Sequence, residues 1–315
     1  MTAGRAGAVA LIALLAVSAA CTGRDDPSTP AGAGAPTTTV AEITTTTGAQ
    51  EAGTIEIGPA DRPAKLVAPE DVSAPAPLVV LLHGYRSSAQ AHDSYLGVAA
   101  QAASRGLYVL LPDGTAGEYD RRFWDATPAC CNFTGTPVDD VAYLGGLIDE
   151  AIATRPIDPT RIYLFGHSNG GFMSYRMACD RADQITAIAV LAGSEFIDET
   201  TCDPSQPVSV LHVHGDADPV IQYDGGKTVS AYPGAVEVVG RWAERDGCDA
   251  PPVDGDPLDL EATLAGPETL VQRYEGCAEG IDVQLDTIVG GGHVPSLDRD
   301  QVGAQVLDWL LDHAR

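Results

Sequence analysis

The segment from Arg161 to Gly171, with the sequence RIYLFGHSNGG, constrains the fold of this chain most strongly. Its apolar first half is typical of a buried strand, and the glycine-flanked Ser168 follows at once. An amphipathic stretch rich in helix formers comes next, so the serine stands in a strand–turn–helix context. Side chains at Gly166 and Gly170 would collide with neighbouring backbone in so tight a turn, which is why glycine is needed there. The segment therefore predicts a nucleophile elbow that presents Ser168.

The composition allows a large folded domain and narrows the possible partners. The chain has 315 residues, 44% of them apolar, which is enough for the core of a large α/β domain. Its 44 acidic residues outnumber its 18 basic residues and give a net charge of −26. So much negative charge argues against nucleic acid, anionic lipid surfaces and polyanionic substrates as partners. The simplest interpretation is that the acidic surface keeps an exported protein soluble.

The N-terminal residues predict export. Residues 1–20 have the pattern of a signal peptide, because Arg5 precedes an apolar stretch too short to span a bilayer. Cys21 follows Ser-Ala-Ala, which resembles a bacterial lipobox and predicts lipidation of Cys21; ordinary cleavage and secretion are the alternative. Residues 21–52 are therefore expected to be a lipidated cysteine and a disordered tether rich in Thr, Pro and Gly. We expect an extracytoplasmic protein that is attached to the membrane only through its lipid.

Apolar runs alternate with helical patterns across residues 53–315. This alternation predicts one catalytic domain of the α/β-hydrolase type, with a mostly parallel sheet and helices on both faces. The predicted buried strands are 78–82, 107–111, 162–165, 185–191, 208–213 and 282–289, and the predicted helices are 138–152, 169–181, 236–246 and 301–313. No internal repeat or second domain boundary is visible in the sequence.

Export permits disulfides, and six cysteines remain besides Cys21. They are Cys130, Cys131, Cys179, Cys202, Cys248 and Cys277. The last two bracket one excursion rich in Pro and Gly, so we predict that they pair with each other. Cys130 and Cys131 are adjacent, so we expect each to take a separate partner. Those partners are Cys179 and Cys202, in an order that stays open. A metal site built from these cysteines is disfavoured because no C-x-x-C spacing occurs.

A serine hydroxyl needs a base to remove its proton, and the base needs a carboxylate to orient it. In this type of fold the chain order is serine, acid, histidine. We predict His293, after the last strand and three glycines, as the base, because the other histidines lie too early or, for His313, on a helix expected to face solvent. We predict Asp218 as the acid. Asp216, nearer the end of strand 208–213, could instead hold the turn.

Two backbone amides are expected to bind the oxyanion. One is the amide of Asn169, directly after the nucleophile, and the other is the amide of Tyr85, in the loop after the first long strand. Trp124 and Tyr223 are candidates for the substrate cleft, because the first lies in a Gly/Asp/Arg-rich loop and the second shortly follows Asp218. Burial of Trp124 beneath its own loop is an equally open interpretation.

One pattern competes with this interpretation. His212, His214 and Asp216 match the start of an H-x-H-x-D-H metal motif, and residues two apart on a strand share a face. Ala217 stands where the third histidine belongs, so we predict no metal. We also predict no cofactor, because a Ser–His–Asp triad needs none. The two histidines are instead expected to be polar residues near the carboxyl edge of the sheet.

Eight short motifs are spread over residues 78–295: LHG at 82–84, LPDG at 111–114, FW at 123–124, CCN at 130–132, VDDV at 138–141, GHSNGG at 166–171, HGDADPV at 214–220 and GGH at 291–293. By these motifs the region resembles the secreted polyhydroxybutyrate depolymerase and feruloyl or acetylxylan esterase group of α/β-hydrolases. The tethered form is similar to the exported actinobacterial lipoproteins of this group. The resemblance implies a triad of Ser168, Asp218 and His293.

The resemblance also implies a serine carboxylesterase whose substrates are hydroxyalkanoate oligomers or feruloyl- and acetyl-type esters. Two alternatives stay open. One is a non-catalytic surface-binding lipoprotein that retains the hydrolase scaffold. The other is a small peptidase of the same fold. The sequence carries no prediction of an oligomeric state.

Overall fold

The computed structural model describes residues 53–71 and 74–315, so the predicted signal peptide, Cys21 and the tether lie outside the described residues. The strands are β1 Thr54–Ile57, β2 Ala64–Val67, β3 Ala76–Leu82, β4 Tyr108–Leu111, β5 Thr115–Ala116, β6 Arg122–Phe123, β7 Ile157–His167, β8 Ala187–Leu191, β9 Ser209–Gly215, β10 Gly226–Lys227, β11 Ala231–Tyr232, β12 Val253–Asp254, β13 Thr269–Tyr274 and β14 Val283–Ile288. The helices are α1 Ala89–Leu96, α2 Val98–Arg105, α3 Asp140–Thr154, α4 Asn169–Asp180, α5 Ala235–Arg245, α6 Arg299–Val302 and α7 Asp308–Leu311. None of the helices within these ranges has both the length and the apolar character needed to cross a bilayer.

The main sheet has ten strands in the order β1-β2-β4-β3-β7-β8-β9-β14-β13-β12. The strands from β4 to β14 in this order pair in parallel. Antiparallel strands extend both edges, β2 and β1 on one side and β13 and β12 on the other. The predicted mostly parallel sheet is therefore confirmed, and the antiparallel edges are an addition to it.

Helices cover both faces of this sheet. Alternate residues of β3 belong to different cores: Leu78 and Val80 pack in the core that contains α3, α4 and α5, whereas Val79 and Leu81 pack with α1, α2, α6 and α7. A strand that is covered on both sides has no solvent-facing side chains, which explains the continuous apolar runs of the sequence. The predicted strands and helices are all present, with shifts at their ends.

The closing helix departs from the prediction. It begins at Arg299 and ends at Leu311, and residues Gly303–Leu307 form a π-helical segment in its middle. A side chain at position 303 would overlap the end of the Gln101 side chain on α2 and would require that end to move. His313 is buried rather than solvent-facing, and its Nε2 lies 3.0 Å from Asp282 Oδ2.

The disulfides confirm one predicted pair and correct the others. Cys248 is bonded to Cys277, as predicted. Cys130 and Cys131 are bonded to each other, so the prediction that they take separate partners is wrong. The partners expected for them, Cys179 and Cys202, are joined to one another. Their Cα atoms are 5.1 Å apart because α4 ends beside the turn that carries Cys202, and this is an ordinary separation for a disulfide.

Candidate active site

Three loops at the carboxyl edge of the sheet bring Ser168, Asp218 and His293 together. They follow β7, β9 and β14, which run parallel and lie close in the sheet. Nε2 of His293 lies 2.9 Å from Oγ of Ser168, and Nδ1 of His293 lies 2.7 Å from Oδ2 of Asp218. The three side chains thus form one continuous hydrogen-bonded chain, in the spatial order that a Ser–His–Asp triad requires.

Ser168 occupies a sharp turn between β7 and α4. Its backbone has φ 55° and ψ −120°, a conformation that residues with a side chain rarely adopt. The surrounding glycines make this turn sterically possible, as the sequence predicted. A Cβ atom at Gly170 would overlap the backbone of Leu82 at the end of β3, and one at Gly166 would overlap the carbonyl of Gly170. The elbow therefore seats the start of α4 directly against the sheet.

Asp218 is held by hydrogen bonds on both carboxylate oxygens. Oδ1 accepts from the amides of Val220 (2.7 Å) and Ile221 (3.0 Å), and Oδ2 accepts from His293. Burial favours the neutral acid, but hydrogen bonds from His214, His293 and the Val220 amide outweigh it and hold the pKa of Asp218 well below its usual range. The carboxylate is therefore ionised at neutral pH, so Nδ1 of His293 donates to it and Nε2 can accept from Ser168.

The second acidic residue of this loop has a different role. Oδ1 of Asp216 accepts a hydrogen bond of 2.6 Å from the amide of Gly290, at the start of the glycine run before His293. Asp216 therefore fixes the loop that delivers the imidazole and makes no contact with the imidazole itself. The structure places Asp218, the acid predicted from the sequence, against the imidazole of His293, and Asp216 against the backbone of the loop before it.

The loop after β3 lies against Ser168, the predicted nucleophile. A Cβ atom built on Gly84 would lie 3.3 Å from Cβ of Ser168, so Gly84 permits this approach. The amide of Tyr85 has no backbone acceptor among the described residues, and the amide of Asn169, the first residue of α4, is one of those that a helix leaves unpaired. His83 braces this loop, since its Nε2 accepts from the Gly114 amide (2.9 Å) and its Nδ1 donates to the Gly84 carbonyl (2.8 Å).

A cleft of about 280 Å³ opens at Ser168 and His293. Its other walls include Tyr85, His92, Tyr95 and Val294. His92 and Tyr95 are three residues apart on α1 and share one face of it, a helical spacing that the sequence analysis did not use. Burial and the neighbouring His167 hold the pKa of His92 well below its usual value, so this part of the cleft is uncharged.

His167, between the first glycine and the serine of the motif, supports His293, the predicted base. Its Nε2 donates to the backbone carbonyl of His293 at 2.8 Å. Burial and the nearby His293 lower the pKa of His167 to about 4, so the side chain is neutral. The variable position of the elbow motif is therefore occupied by a residue that anchors the loop of His293.

The predictions for the cleft residues are corrected. Trp124 is fully buried, and its Nε1 donates to the carbonyl of His83 at 2.9 Å, so the prediction that it lines the cleft is wrong and its alternative, burial under the loop, holds. Tyr223 also does not line the cleft at Ser168. Its hydroxyl pairs with Oγ1 of Thr287 on β14 at 2.7 Å, and its ring meets the ring of His214 on β9 edge-on.

His212 and His214 are both buried, and their ring nitrogens have protein partners: Tyr175, each other and the carbonyl of Ile221. Their nitrogens are therefore already engaged. The one group of side chains in the described residues with metal-ligand proximity is Cys179, Glu195 and Cys202, and its two sulfurs are joined in a disulfide.

A serine on a strand–helix elbow, linked through histidine to aspartate at the carboxyl edge of a mostly parallel sheet, defines an α/β-hydrolase. Residues 64–251 match the family model described as Esterase PHB depolymerase. The chain belongs to this family, and its resemblance to the polyhydroxybutyrate depolymerase and feruloyl or acetylxylan esterase group is confirmed.

Similar proteins carry esterase names. Feruloyl esterase B of Piromyces equi is 33% identical over 227 residues, which are 69% of this chain and 39% of that protein. The putative esterase NocK of Nocardia uniformis subsp. tsuyamanensis is 28% identical over 230 residues, 69% of this chain and 64% of its own length. The chain thus spans less than two thirds of either relative. The structure of an acetyl xylan esterase from Aspergillus awamori superposes with a TM-score of 0.57 and 16% identity, over 82% of this chain and 99% of that one, which shows the shared fold.

Proposed function

We propose that this protein is a serine carboxylesterase that works through an acyl-enzyme. Ser168 attacks the ester carbonyl, His293 takes its proton and Asp218 orients the imidazole. The observation that carries the proposal is the unbroken chain of contacts, 2.9 Å from Ser168 Oγ to His293 Nε2 and 2.7 Å from His293 Nδ1 to Asp218 Oδ2, at the mouth of a cleft. A base within hydrogen-bond reach, itself oriented by an anion, is what activates a hydroxyl nucleophile.

In the proposed mechanism the amides of Tyr85 and Asn169 bind the oxyanion of the tetrahedral intermediates. Each oxyanion donor of this kind contributes on the order of 10²–10³ in rate, because it is aimed in advance at charge that develops in the transition state. His293 then returns its proton to the leaving alcohol, and a water molecule activated by the same base hydrolyses the acyl-enzyme. The mechanism requires no cofactor.

For the substrate we propose short hydroxyalkanoate oligomers or feruloyl- or acetyl-type esters. The names of the relatives, feruloyl esterase and acetylxylan esterase among them, support an ester of one of these kinds. The cleft of about 280 Å³ and its uncharged walls of Tyr95, His92 and Val294 suit a small or aromatic acyl group. Hydrolysis of a 3-hydroxybutyrate oligomer, a feruloyl ester and an acetylated xylo-oligosaccharide, measured side by side as kcat/KM, distinguishes among them.

We also propose that the protein is exported and anchored through lipid on Cys21. The signal-like residues 1–20, the lipobox-like residues before Cys21 and the use of all other cysteines in disulfides support this location. Expression of the full chain in an actinobacterial host tests it. We expect the wild type in the membrane fraction and Cys21→Ala in the medium or the soluble fraction; equal partition of the two contradicts the anchor.

Labelling with a fluorophosphonate tests the catalytic proposal most directly. We expect covalent labelling of the wild type and none of Ser168→Ala, together with hydrolysis of p-nitrophenyl butyrate that His293→Ala abolishes. A wild type that is neither labelled nor active contradicts the proposal and favours a non-catalytic binding protein. Faster cleavage of peptide amides than of the matched esters favours a peptidase.

A further inference from the structure

Two buried histidines of β9 form a stacked pair behind the proposed triad. His212 and His214 lie on the same side of the strand, and both side chains are excluded from solvent. Their ring centroids are 5.2 Å apart, and Nε2 of His212 is 3.0 Å from Nδ1 of His214. The mechanism proposed above uses neither residue, although two buried imidazoles in contact are an unusual way to fill a core.

The contacts of His214 fix which of its nitrogens carries a proton. Nε2 lies 2.8 Å from the carbonyl oxygen of Ile221 and 3.4 Å from Oδ2 of Asp218. Both neighbours are acceptors at neutral pH, so Nε2 must be an N–H donor. In a neutral imidazole Nδ1 is then an acceptor, and it faces Nε2 of His212.

The tautomer of His212 follows from that of His214. Because Nε2 of His212 donates to His214, Nδ1 of His212 is the acceptor, and the hydroxyl of Tyr175 lies 2.7 Å from it. Burial lowers the pKa of His212 and raises that of Tyr175, each well away from neutrality, so both side chains are uncharged. In this series of hydrogen bonds Tyr175 donates to His212, His212 donates to His214, and His214 donates toward Asp218.

His214 also closes the loop that carries the carboxylate. The backbone after Asp218 turns so that the Ile221 amide donates to Oδ1 of Asp218, while the Ile221 carbonyl accepts from His214. His214 thus holds Asp218 in two ways, by its own N–H near Oδ2 and by fixing the turn that binds Oδ1. Among the described residues, His293 and His214 are the two side chains that make a hydrogen bond or ion pair with this carboxylate.

We propose that His214 is a positioning residue for the Asp218–His293 pair, and that the buried Tyr175–His212 contact holds His214 in the tautomer that donates to Asp218. This inference rests on the proposed function, because it assigns the histidine to the orientation of that catalytic acid. It accounts for two histidines that would otherwise be costly to bury.

The titratable groups around His214 decide the sign of the expected effect. They are Asp218 and Tyr223 from the loop after β9, His212 from β9, His293 from the loop after β14, His167 from β7 and Tyr175 from α4. Among them only Asp218 is an anion at neutral pH. Removing the N–H of His214 makes this anion a stronger acceptor for His293, which favours the protonated base. The acid limb of kcat/KM, which reports protonation of the free base, should then move to higher pH.

The experiment compares pH profiles of kcat/KM for p-nitrophenyl butyrate, each normalised to the concentration of sites that react with a fluorophosphonate. We expect His214→Leu to lower kcat/KM roughly tenfold, as for loss of a hydrogen bond to a charged group, and to raise the acid limb by about half a pH unit. His214→Gln keeps an N–H near the position of Nε2 and should restore much of both values. Tyr175→Phe should also move the acid limb to higher pH, by less than His214→Leu does.

Tyr163→Phe is the matched control. It also removes a buried tyrosine hydroxyl, one that donates to the carbonyl of His313 away from the triad. We expect it to lower thermal stability and to leave the normalised pH profile unchanged. A profile of His214→Leu that coincides with the wild type overturns the inference, as does a shift in Tyr163→Phe equal to that in Tyr175→Phe.

If both His214 variants fail to fold, Tyr175→Phe decides alone, and an unchanged acid limb in that variant overturns the inference. Failure of the proposed function has a separate signature: the wild type is then neither labelled nor active, or Ser168→Ala keeps the activity of the wild type. Loss of activity in Ser168→Ala with no change of profile in the His214 variants leaves the esterase proposal intact and removes only the role of His214.

Discussion

Asn169 and Trp124 are joined by a reciprocal pair of hydrogen bonds. The amide of Trp124 donates to Oδ1 of Asn169 at 2.7 Å, and Nδ2 of Asn169 donates to the carbonyl of Trp124 at 3.0 Å. Asn169 directly follows the proposed nucleophile, and both side chains are fully buried. The residue whose amide is proposed to bind the oxyanion is therefore fixed by the loop that packs beside it.

Replacement of Asn169 by alanine should impair the active site and the fold together. It leaves the buried amide and carbonyl of Trp124 without partners, at about 1–3 kcal/mol for each group. We expect a lower Tm and a kcat reduced about tenfold or more, since the oxyanion amide loses its support. Asn132→Ala is the control, because Asn132 makes the same reciprocal pair with Thr136 on an exposed loop. An equal loss of activity in both variants would contradict the prediction.

The two carboxylates after β9 should differ sharply in their effect on catalysis. Asp218→Asn removes the anion that orients and stabilises the protonated base, so kcat should fall by about 10³–10⁴, as in other serine triads. Asp216→Asn keeps an oxygen that can accept from the Gly290 amide and should lose less than about tenfold. Steady-state kinetics at neutral pH measures both. A larger loss of kcat in Asp216→Asn than in Asp218→Asn would mean that Asp216 is the acid.

The disulfides should contribute unequally to stability. The bond from Cys179 to Cys202 spans 23 positions of the chain, so its removal restores the freedom of a substantial loop in the unfolded state and should cost about 3 kcal/mol. The bond from Cys130 to Cys131 joins adjacent residues and restricts almost no loop. Paired serine substitutions, compared by denaturant unfolding under identical conditions, check this order. A larger loss for the adjacent pair would contradict it.

Asp286 should make the protein less stable as the pH rises. Burial, only partly offset by the Gln284 amide, raises the pKa of Asp286 to about 7, above the value of about 3.9 expected when unfolded. The unfolded state therefore ionises first, and the contribution of the neutral acid to stability, complete below about pH 4, is lost as the pH rises through 7. Asp286→Asn stays neutral. Its stability relative to the wild type should increase with pH, by up to a few kcal/mol at pH 8.

Asp282, four residues earlier, provides the opposite case. A hydrogen bond from His313 lowers the pKa of Asp282, so its ionised form stabilises the folded state above the unfolded pKa and this contribution is lost as the pH falls. Asp282→Asn should therefore become less stable than the wild type as the pH rises. Urea unfolding of Asp282→Asn and Asp286→Asn between about pH 4 and pH 8 tests both predictions. The free energies of unfolding, each relative to the wild type, should change with pH in opposite directions, and a change in the same direction would refute them.

The central strands and the order of the proposed triad could be predicted because local signals determine them. A parallel strand covered on both faces is apolar along its length, and each proposed catalytic residue follows such a strand. The edge strands β1 and β12 were not predicted, because short strands with exposed residues leave no continuous apolar run. The position of Trp124 and the pairing of Cys179 depend on which loops meet in space. Neither the spacing nor the composition of one sequence contains that information.

The backbone of Ser168 has φ 55°, so glycine would be more stable at this position, whereas the proposed reaction requires a hydroxyl there. Glycine adopts this conformation without the penalty that a Cβ atom brings, on the order of 1 kcal/mol or more. A chain under selection for folding alone would accept glycine at position 168 at once, whereas one that must keep a hydroxyl there retains the strain. Serine at position 168 therefore keeps the hydroxyl that the proposed reaction needs, at a backbone conformation that favours glycine.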